Sequence, residues 1–434
     1  MGPRPILSYR LVCLDHLDKD LCMPLRRVLP TAALALAVLV AGCGAKEDAK
    51  AQVKTGPGVT DDTISLGILT DMTGPFKASA LTRMKGYELY LKQVNDRGGI
   101  CGRKVELKTK DHAYDVQKAL DAYFDLEPQV LGLLELAGTP MTAAIEPDIM
   151  QTRTLTAPAS WAASLLGNPH MMIVGTTYDL DVINGLDHYK RRGVIKEGDT
   201  VGHVYAQGSY GDNAVEGSRF VGTQWNMKIA EQPISETAAD LTQQIAALKA
   251  AGAKAVVLST TPAQTAAAVG VAAALKWEVP FMVNVVGFDT AILDSPVGPA
   301  VEKQVSVVTS VAPFTGSQPG PREVAAAFNK YYPNDKPAIY VDHGYTVAKV
   351  FLSVVEKACE KGDLSRDGVL DAFHSTNGLD TQGLTSALHY SLVGRPSATQ
   401  SYITKVDSKA PGGLTTVEEL FESELVKLKG TRAK

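Results

Sequence analysis

The stretch TISLGILTDMTGPFKASALTRMKGYELYLKQVNDRGGICGRKVELKTKD, residues 63–111, decides the fold. Its start, ISLGIL (64–69), is a short apolar run that ends in the turn sequence TDMTGP, as a buried strand does. Met84, Tyr87, Leu91 and Val94 then recur at helical spacing, and Gly98-Gly99 supplies the stop. KVELKTKD (104–111) alternates as a strand. Strand, helix and strand in succession form a β-α-β unit, whose strands run parallel with the helix lying on the sheet.

Downstream the pattern repeats. A helix is expected from about Asp115, with Val116, Leu120 and Tyr123 on one face, and VLGLLEL (130–136) reads as a strand covered on both faces. Helix 141–150, strands 154–157 and 171–175, helix 179–192 and strand 200–206 follow. Helix 212–225 is expected to start at the cap Gly211-Asp212. Strand MKIAEQ, helix AADLTQQIAALKAAGA, strand AKAVVLS, helix TPAQTAAAVGVAAALKW and strand PFMVNVV continue the alternation. QVSVVTSV (304–311) reads as a long strand with no crossover helix directly before it. Helices 321–332, 342–361 and 366–376 come almost in succession, then strands near 386–390 and at 401–406. No Pro/Ser linker separates these segments, so two α/β lobes would have to exchange chain more than once.

Upstream, LPTAALALAVLVAG (29–42) follows Arg26 and Arg27 and is too short to cross about 30 Å of hydrocarbon. Its basic flank and small-residue end describe a signal peptide over residues 1–42. The run closes on Leu39-Val40-Ala41-Gly42-Cys43, which resembles the lipobox of bacterial lipoproteins, with Cys43 the lipidated first mature residue; the alternative is an ordinary secretory signal with an incidental cysteine. Met23 begins a conventional signal, so the start is either Met23, with an upstream extension, or Met1 with a long n-region. Residues 43–62 read as a polar tether. Cleavage removes five basic and three acidic residues and takes the net charge from −4 to −6.

The whole chain of 434 residues is 45% hydrophobic and 21% charged, which excludes wholesale disorder and a many-span membrane protein. Net acidity with no basic run argues against a nucleic-acid partner. Catalytic motifs with correct spacing are absent: no HExxH, CxxC, Walker A loop or strand-linked GxGxxG occurs. No cofactor and no catalytic residue is therefore expected. Asp111-His112 beside Asp115 lacks a second ligand cluster, so no metal is expected either, and His112 and His203 read as structural. Of the five cysteines, Cys101 and Cys359 remain in the folded body, either as an exported pair or as two buried thiols.

Four segments in order resemble the type I periplasmic-binding fold, specifically the leucine/isoleucine/valine-binding-protein family. They are the strand-turn at 64–75, the helix-turn-strand MKGYELYLKQVNDRGGICGRKVELKTKD (84–111), GTPMTAAIEP…TLTAPAS (138–160) and YAQGSYG (205–211). With VDHGYTVAKVFLSVVEKA further on, the similarity spans about 60–410. The resemblance implies two Rossmann-like lobes, parallel sheets flanked by helices, joined by a three-strand hinge. One lobe would hold 63–178 plus 312–398, the other 179–311 plus 399–434. Cys101 and Cys359 then fall in the same lobe, which makes a disulfide reasonable.

Ligands of open α/β sheets bind beyond the carboxyl ends of strands. The resemblance places candidates in those turns. Asp71, Met72, Thr73 and Gly74 follow the first strand, with Ser79 further along, where relatives often carry an aromatic. Ala137, Gly138 and Thr139 match the loop that takes a ligand carboxylate, and Ser160 and Trp161 match the next. Tyr210, Thr260, Thr261, Val285, Val286 and Phe288 face them from the other lobe, and Tyr340 matches an aromatic of the returning segment. Each has a blander reading: Trp161 and Tyr210 as core, Thr139 as a helix cap, Asp71 as a turn residue and the valines as strand interior.

The departures carry the ligand expectation. Amino-acid binders hold the ammonium with an acid at the position of Val285 or its neighbour, and Asp289 lies further along. An unpaired buried ammonium is costly, so an α-amino acid needs Asp71 or Glu135 as a substitute. The expected ligand is apolar or aromatic, with or without a carboxylate, and needs no ammonium. The function implied is a monomeric, lipid-anchored receptor that hands a small molecule to an ABC permease at the bacterial cell membrane. The alternatives are a sensory module of the same fold or an extracytoplasmic α/β enzyme.

Overall fold

In the strand Thr63–Thr70, Ile64, Leu66 and Ile68 share a core with Tyr87 and Val94 of the helix Lys77–Asp96, while Leu69 joins a different core with Tyr123 and Leu126. Cover on both faces explains an apolar rather than alternating run. The computed structural model describes residues 53–432; the expected signal segment, Cys43 and the first part of the tether lie outside the described residues.

This strand is central in a parallel four-stranded sheet of spatial order Lys104–Asp111, Thr63–Thr70, Leu133–Ala137, Thr156–Ala159. The helices Lys77–Asp96 and Ile339–Glu360 supply the core on one face, and Val116–Leu126 and Thr139–Thr152 on the other. Asp115 caps Val116–Leu126 by accepting from the Lys118 N–H. A seven-stranded sheet has the order Leu414–Phe421, Ser401–Val406, Val305–Thr309, Phe281–Asn284, Ala255–Ser259, Thr200–Ala206, Lys228–Ile234. Its last five are parallel, and the first two are an antiparallel addition at one edge. Each sheet with its helices is one lobe.

Three chain segments joining the lobes lie side by side. The Ser397 hydroxyl bonds the Ile173 carbonyl at 2.6 Å, Thr176 Oγ1 donates to the Gln400 carbonyl at 2.7 Å, and a Cβ on Gly175, at φ +125°, would lie 2.2 Å from Ser310 Oγ. The hinge is thus tied by side-chain bonds rather than by a sheet ladder.

Several expectations need correction. Residues 171–175 form no strand: one bridge joins Met171 to Thr156, and the backbone then turns to Ser397. The strand Val305–Thr309 does follow a helix, Gly298–Gln304, whose two turns are too short for a periodic signal. The helix near 212 begins at Ser209 behind Gly208, and Gly211 lies inside it, where a Cβ would come 1.9 Å from the Ala206 carbonyl. The strand near 386–390 shrinks to Leu388–His389, and Leu414–Phe421 was not anticipated.

Behind the hinge, Asp181 is buried in the first turn of the helix Tyr178–Arg191 and accepts from Ser401 Oγ at 2.6 Å. Ser401 in turn accepts from Asn184, and the neighbouring Asp179 pairs with Lys429. Burial pushes the Asp181 carboxyl from 3.8 up to about 8, outweighing the Ser401 bond. The native state therefore binds this proton more tightly than the unfolded chain. That contribution is full below the ordinary value of 3.8 and is lost as pH rises toward 8. Asp181→Asn keeps an acceptor for Ser401 and should raise stability at pH 8.5 by ~1–3 kcal/mol while changing little at pH 4. Thermal melts at the two pH values check this; equal effects at both would contradict it.

Candidate ligand-binding site

The parallel strands of the two sheets end opposite each other, and the turns beyond them enclose a cavity of about 240 Å³. Asp71, Phe76, Ser79, Tyr114, Gly138, Thr139 and Trp161 line it from one lobe. Ala206, Tyr210, Glu236, Thr261 and Val286 line it from the other, with Tyr178 and Tyr340 between. Six aromatic side chains line the cavity, and most of them touch: ring centroids are 4.9 Å apart for Phe76 and Tyr114, 6.0 Å for Trp161 and Tyr178, and 4.6 Å for Tyr178 and Tyr210.

The turn after the first strand is built by Asp71, whose carboxylate accepts from the Gly74 N–H and, at 2.7 Å, the Phe76 N–H. Its charge is therefore committed to backbone and sets Phe76 against Tyr114. Thr73 points away, donating to Asp111 at 2.8 Å, and lies outside the lining. Gly138, at φ +92°, starts the helix Thr139–Thr152, and a Cβ there would strike Met141 at 2.0 Å. Thr139 is thus the first helical residue rather than the cap. Its hydroxyl meets that of buried Ser160 at 3.1 Å, so Ser160 orients Thr139 from behind the wall.

From the second lobe, Thr261 lines the cavity and caps the helix Pro262–Ala274 in a capping box with Gln264. Thr260 does not line it; its hydroxyl pairs with Thr265 at 2.9 Å. Phe288 is wholly buried core, and Val286 rather than Val285 reaches the wall. Val285 contributes its carbonyl, which accepts from the Tyr340 hydroxyl at 3.1 Å. Asp289 accepts from Ser79 Oγ at 3.3 Å and from the Ala291 N–H at 2.8 Å. The Ser79–Asp289 and Tyr340–Val285 bonds join one lobe to the other, so the lobes meet across the cavity.

Sequence reasoning missed Arg83, Tyr114, Tyr178 and Glu236. Arg83 is buried one turn beyond Ser79, and its Nη2 donates to Glu135 Oε1 at 2.6 Å. Thr70 Oγ1 donates to the same oxygen at 2.7 Å. Burial, the largest single influence, works against the guanidinium charge, but the Glu135 carboxylate together with Tyr87 and Tyr340 holds the pKa raised. Burial lifts the Tyr178 phenol to about 12, so it stays neutral, and also raises the carboxyl of Glu236.

Elsewhere, His203 bonds Ser218 and Ser259 and is pushed down to about 3 by burial, a core role. Among the described residues no group of three or more His, Cys, Asp or Glu could hold a metal ion. Cys101 and Cys359 are joined in a disulfide with Cα atoms 6.0 Å apart.

A family model described as periplasmic binding protein matches residues 63–411. The fatty acid ABC transporter substrate-binding protein of Thermomonospora curvata is 37% identical, with 86% of this chain and 96% of that chain covered and a TM-score of 0.84. A branched-chain amino acid ABC transporter protein of Thermus thermophilus, solved with bound valine, has a TM-score of 0.75 at 18% identity over 86% of this chain and 100% of its own. A leucine-binding protein of Thermotoga maritima has a TM-score of 0.72 at 15% identity, over 83% and 99%. At those identities the last two attest the fold alone. No curated protein matches the chain at a significant level. With two parallel-sheet lobes, a threefold crossing and a cavity at their facing strand ends, the chain belongs to the periplasmic binding protein family, with the type I fold.

Proposed function

We propose that the protein is the extracytoplasmic receptor of an ABC importer, closing on an apolar organic acid of the fatty-acid class and handing it to a membrane permease. The observation that carries the reading is the aromatic-rich cavity, which Val286 lines. The family resemblance puts the ammonium-holding acid of amino-acid receptors at Val285 or its neighbour, and neither is acidic here. Of the acids near the wall, Asp71 accepts from backbone N–H groups, Asp289 accepts from Ser79 and the Ala291 N–H, and Glu135 is paired with Arg83 through Oε1. Glu236 is exposed and lines the cavity from the second lobe. The 37% identical protein carries fatty acid in its name, which supports the ligand class. Apolar lining contributes affinity through buried area, and closure follows from tighter binding to the closed form. We assign 63–178 plus 312–398 to one lobe and 179–311 plus 399–434 to the other, a division supported by the packing of Ile339–Glu360 on the first sheet. Lipid on Cys43 would hold this monomeric receptor at the membrane and raise its concentration near the permease.

A thermal-shift screen tests the ligand class. Fatty and aromatic acids should stabilise the protein by about 2.7 kcal/mol at 100 times their dissociation constant, and Trp161→Ala should diminish that shift while the ligand-free protein remains folded. The largest shift from leucine, isoleucine or valine would contradict the reading.

A further inference from the structure

Arg83 holds an unfinished ion pair. Arg–carboxylate pairs are frequently closed by two parallel bonds in a bidentate fork. Here a single bond joins Nη2 to Oε1, while Arg83 Nε and Glu135 Oε2 are buried with no hydrogen-bond partner. Open donors and acceptors at that depth cost free energy unless a ligand uses them. Among the described residues Arg83 is also the only cationic side chain lining the cavity, and its guanidinium lies 5.8 Å from the Tyr340 ring centroid. The positive end of the helix Thr139–Thr152, which has no side-chain cap, opens on the same space. The opposite polarity lies with Glu236, an exposed acid that lines the cavity from the other lobe.

We propose that Arg83 is the anchor for the ligand's carboxylate: the acid head enters first and seats on the guanidinium, which Glu135 holds in place, and the apolar tail runs outward past Phe76 and Tyr114 toward Glu236. The proposal rests on the apolar-acid reading above and adds which residue selects the head and which way the ligand lies. It makes the site selective for monocarboxylates, because a second carboxylate on the tail would approach Glu236. It also gives Glu135 a positioning role: its charge fixes the guanidinium and leaves further N–H donors for the ligand.

The test measures binding of dodecanoate, dodecan-1-ol and dodecanedioate to the protein by titration calorimetry. Removing Arg83 alone strands Glu135 and threatens folding, so the informative variant is Arg83→Gln combined with Glu135→Gln, which keeps a neutral hydrogen-bonding pair of similar size. The wild type should bind dodecanoate about 10- to 100-fold more tightly than dodecan-1-ol, the span of one or two charge-assisted hydrogen bonds, and the dicarboxylate should bind more weakly than dodecanoate. The double variant should bring dodecanoate down to the alcohol's affinity and leave the alcohol within about threefold. Equal binding of acid and alcohol by the wild type, or an unchanged ratio in the folded double variant, would overturn the anchor and leave the apolar-ligand reading standing. Binding of neither compound would overturn both.

Discussion

Gly344→Val is expected to destabilise the protein by ~3–5 kcal/mol and to abolish ligand binding in whatever fraction still folds. The helices Lys77–Asp96 and Ile339–Glu360 cross with their backbones in contact: a Cβ on Gly344 would lie 2.0 Å from the Arg83 carbonyl, and one on Gly86 would lie 2.2 Å from the Val341 carbonyl. Backbone cannot yield as a flexible side chain does, so an added isopropyl group must push the helices apart. Those two helices carry Ser79, Arg83 and Tyr340, so spreading them also pulls the cavity wall open. Denaturant unfolding of Gly344→Val beside Gly167→Ala, whose added methyl meets nothing within 4 Å, separates the crossing from a general loss of glycine. A stability change below about 1 kcal/mol for Gly344→Val would contradict the packing argument.

The second large effect concerns the far ends of the same helix pair. Cys101 lies in the turn that follows Lys77–Asp96, and Cys359 lies in the last turn of Ile339–Glu360. Their bond spans 258 residues of chain, and closing so long a loop removes unfolded-state entropy worth up to ~5 kcal/mol. Measured effects of native disulfides run at about 2–5 kcal/mol, so the double variant Cys101→Ser, Cys359→Ser should melt several degrees lower than the oxidised protein. Reductant should lower the wild-type midpoint toward that of the variant and leave the variant unmoved. Coincident melts for all three samples would show that the bond contributes nothing.

Periodicity made most of the fold legible. The strands Thr200–Ala206 and Ser401–Val406 agree with the sequence reading to the residue, and the stretch 63–111 holds its strand, helix and strand. What escaped was short or irregular. Gly298–Gln304 is two turns long, and the hinge segment after Met171 is stabilised by Ser397, a residue more than 200 positions away. Long-range side-chain bonds of that kind leave no local pattern.

The site divides in the same way. Residues in turns after strands were found, because parallel-sheet topology puts such turns at one edge. Thr73, Thr260 and Phe288 came from the same turns, but their side chains point to Asp111, to Thr265 and into the core. Arg83 and Tyr178 sit on helices, where topology gives no such guide. A signal for Arg83 did exist: Glu135 interrupts the apolar strand VLGLLEL, and an acid covered on both faces needs a cationic partner. Which cation supplies it is a matter of three-dimensional packing.

A cavity built for an apolar acid should take up a fatty acid and leave a free amino acid in solution. Titration calorimetry of the protein with dodecanoate and with leucine, in the same buffer, tests it most directly. Dodecanoate should bind one-to-one and leucine should give no measurable heat of binding; saturable binding of leucine, tighter than that of dodecanoate, would refute the apolar-acid ligand.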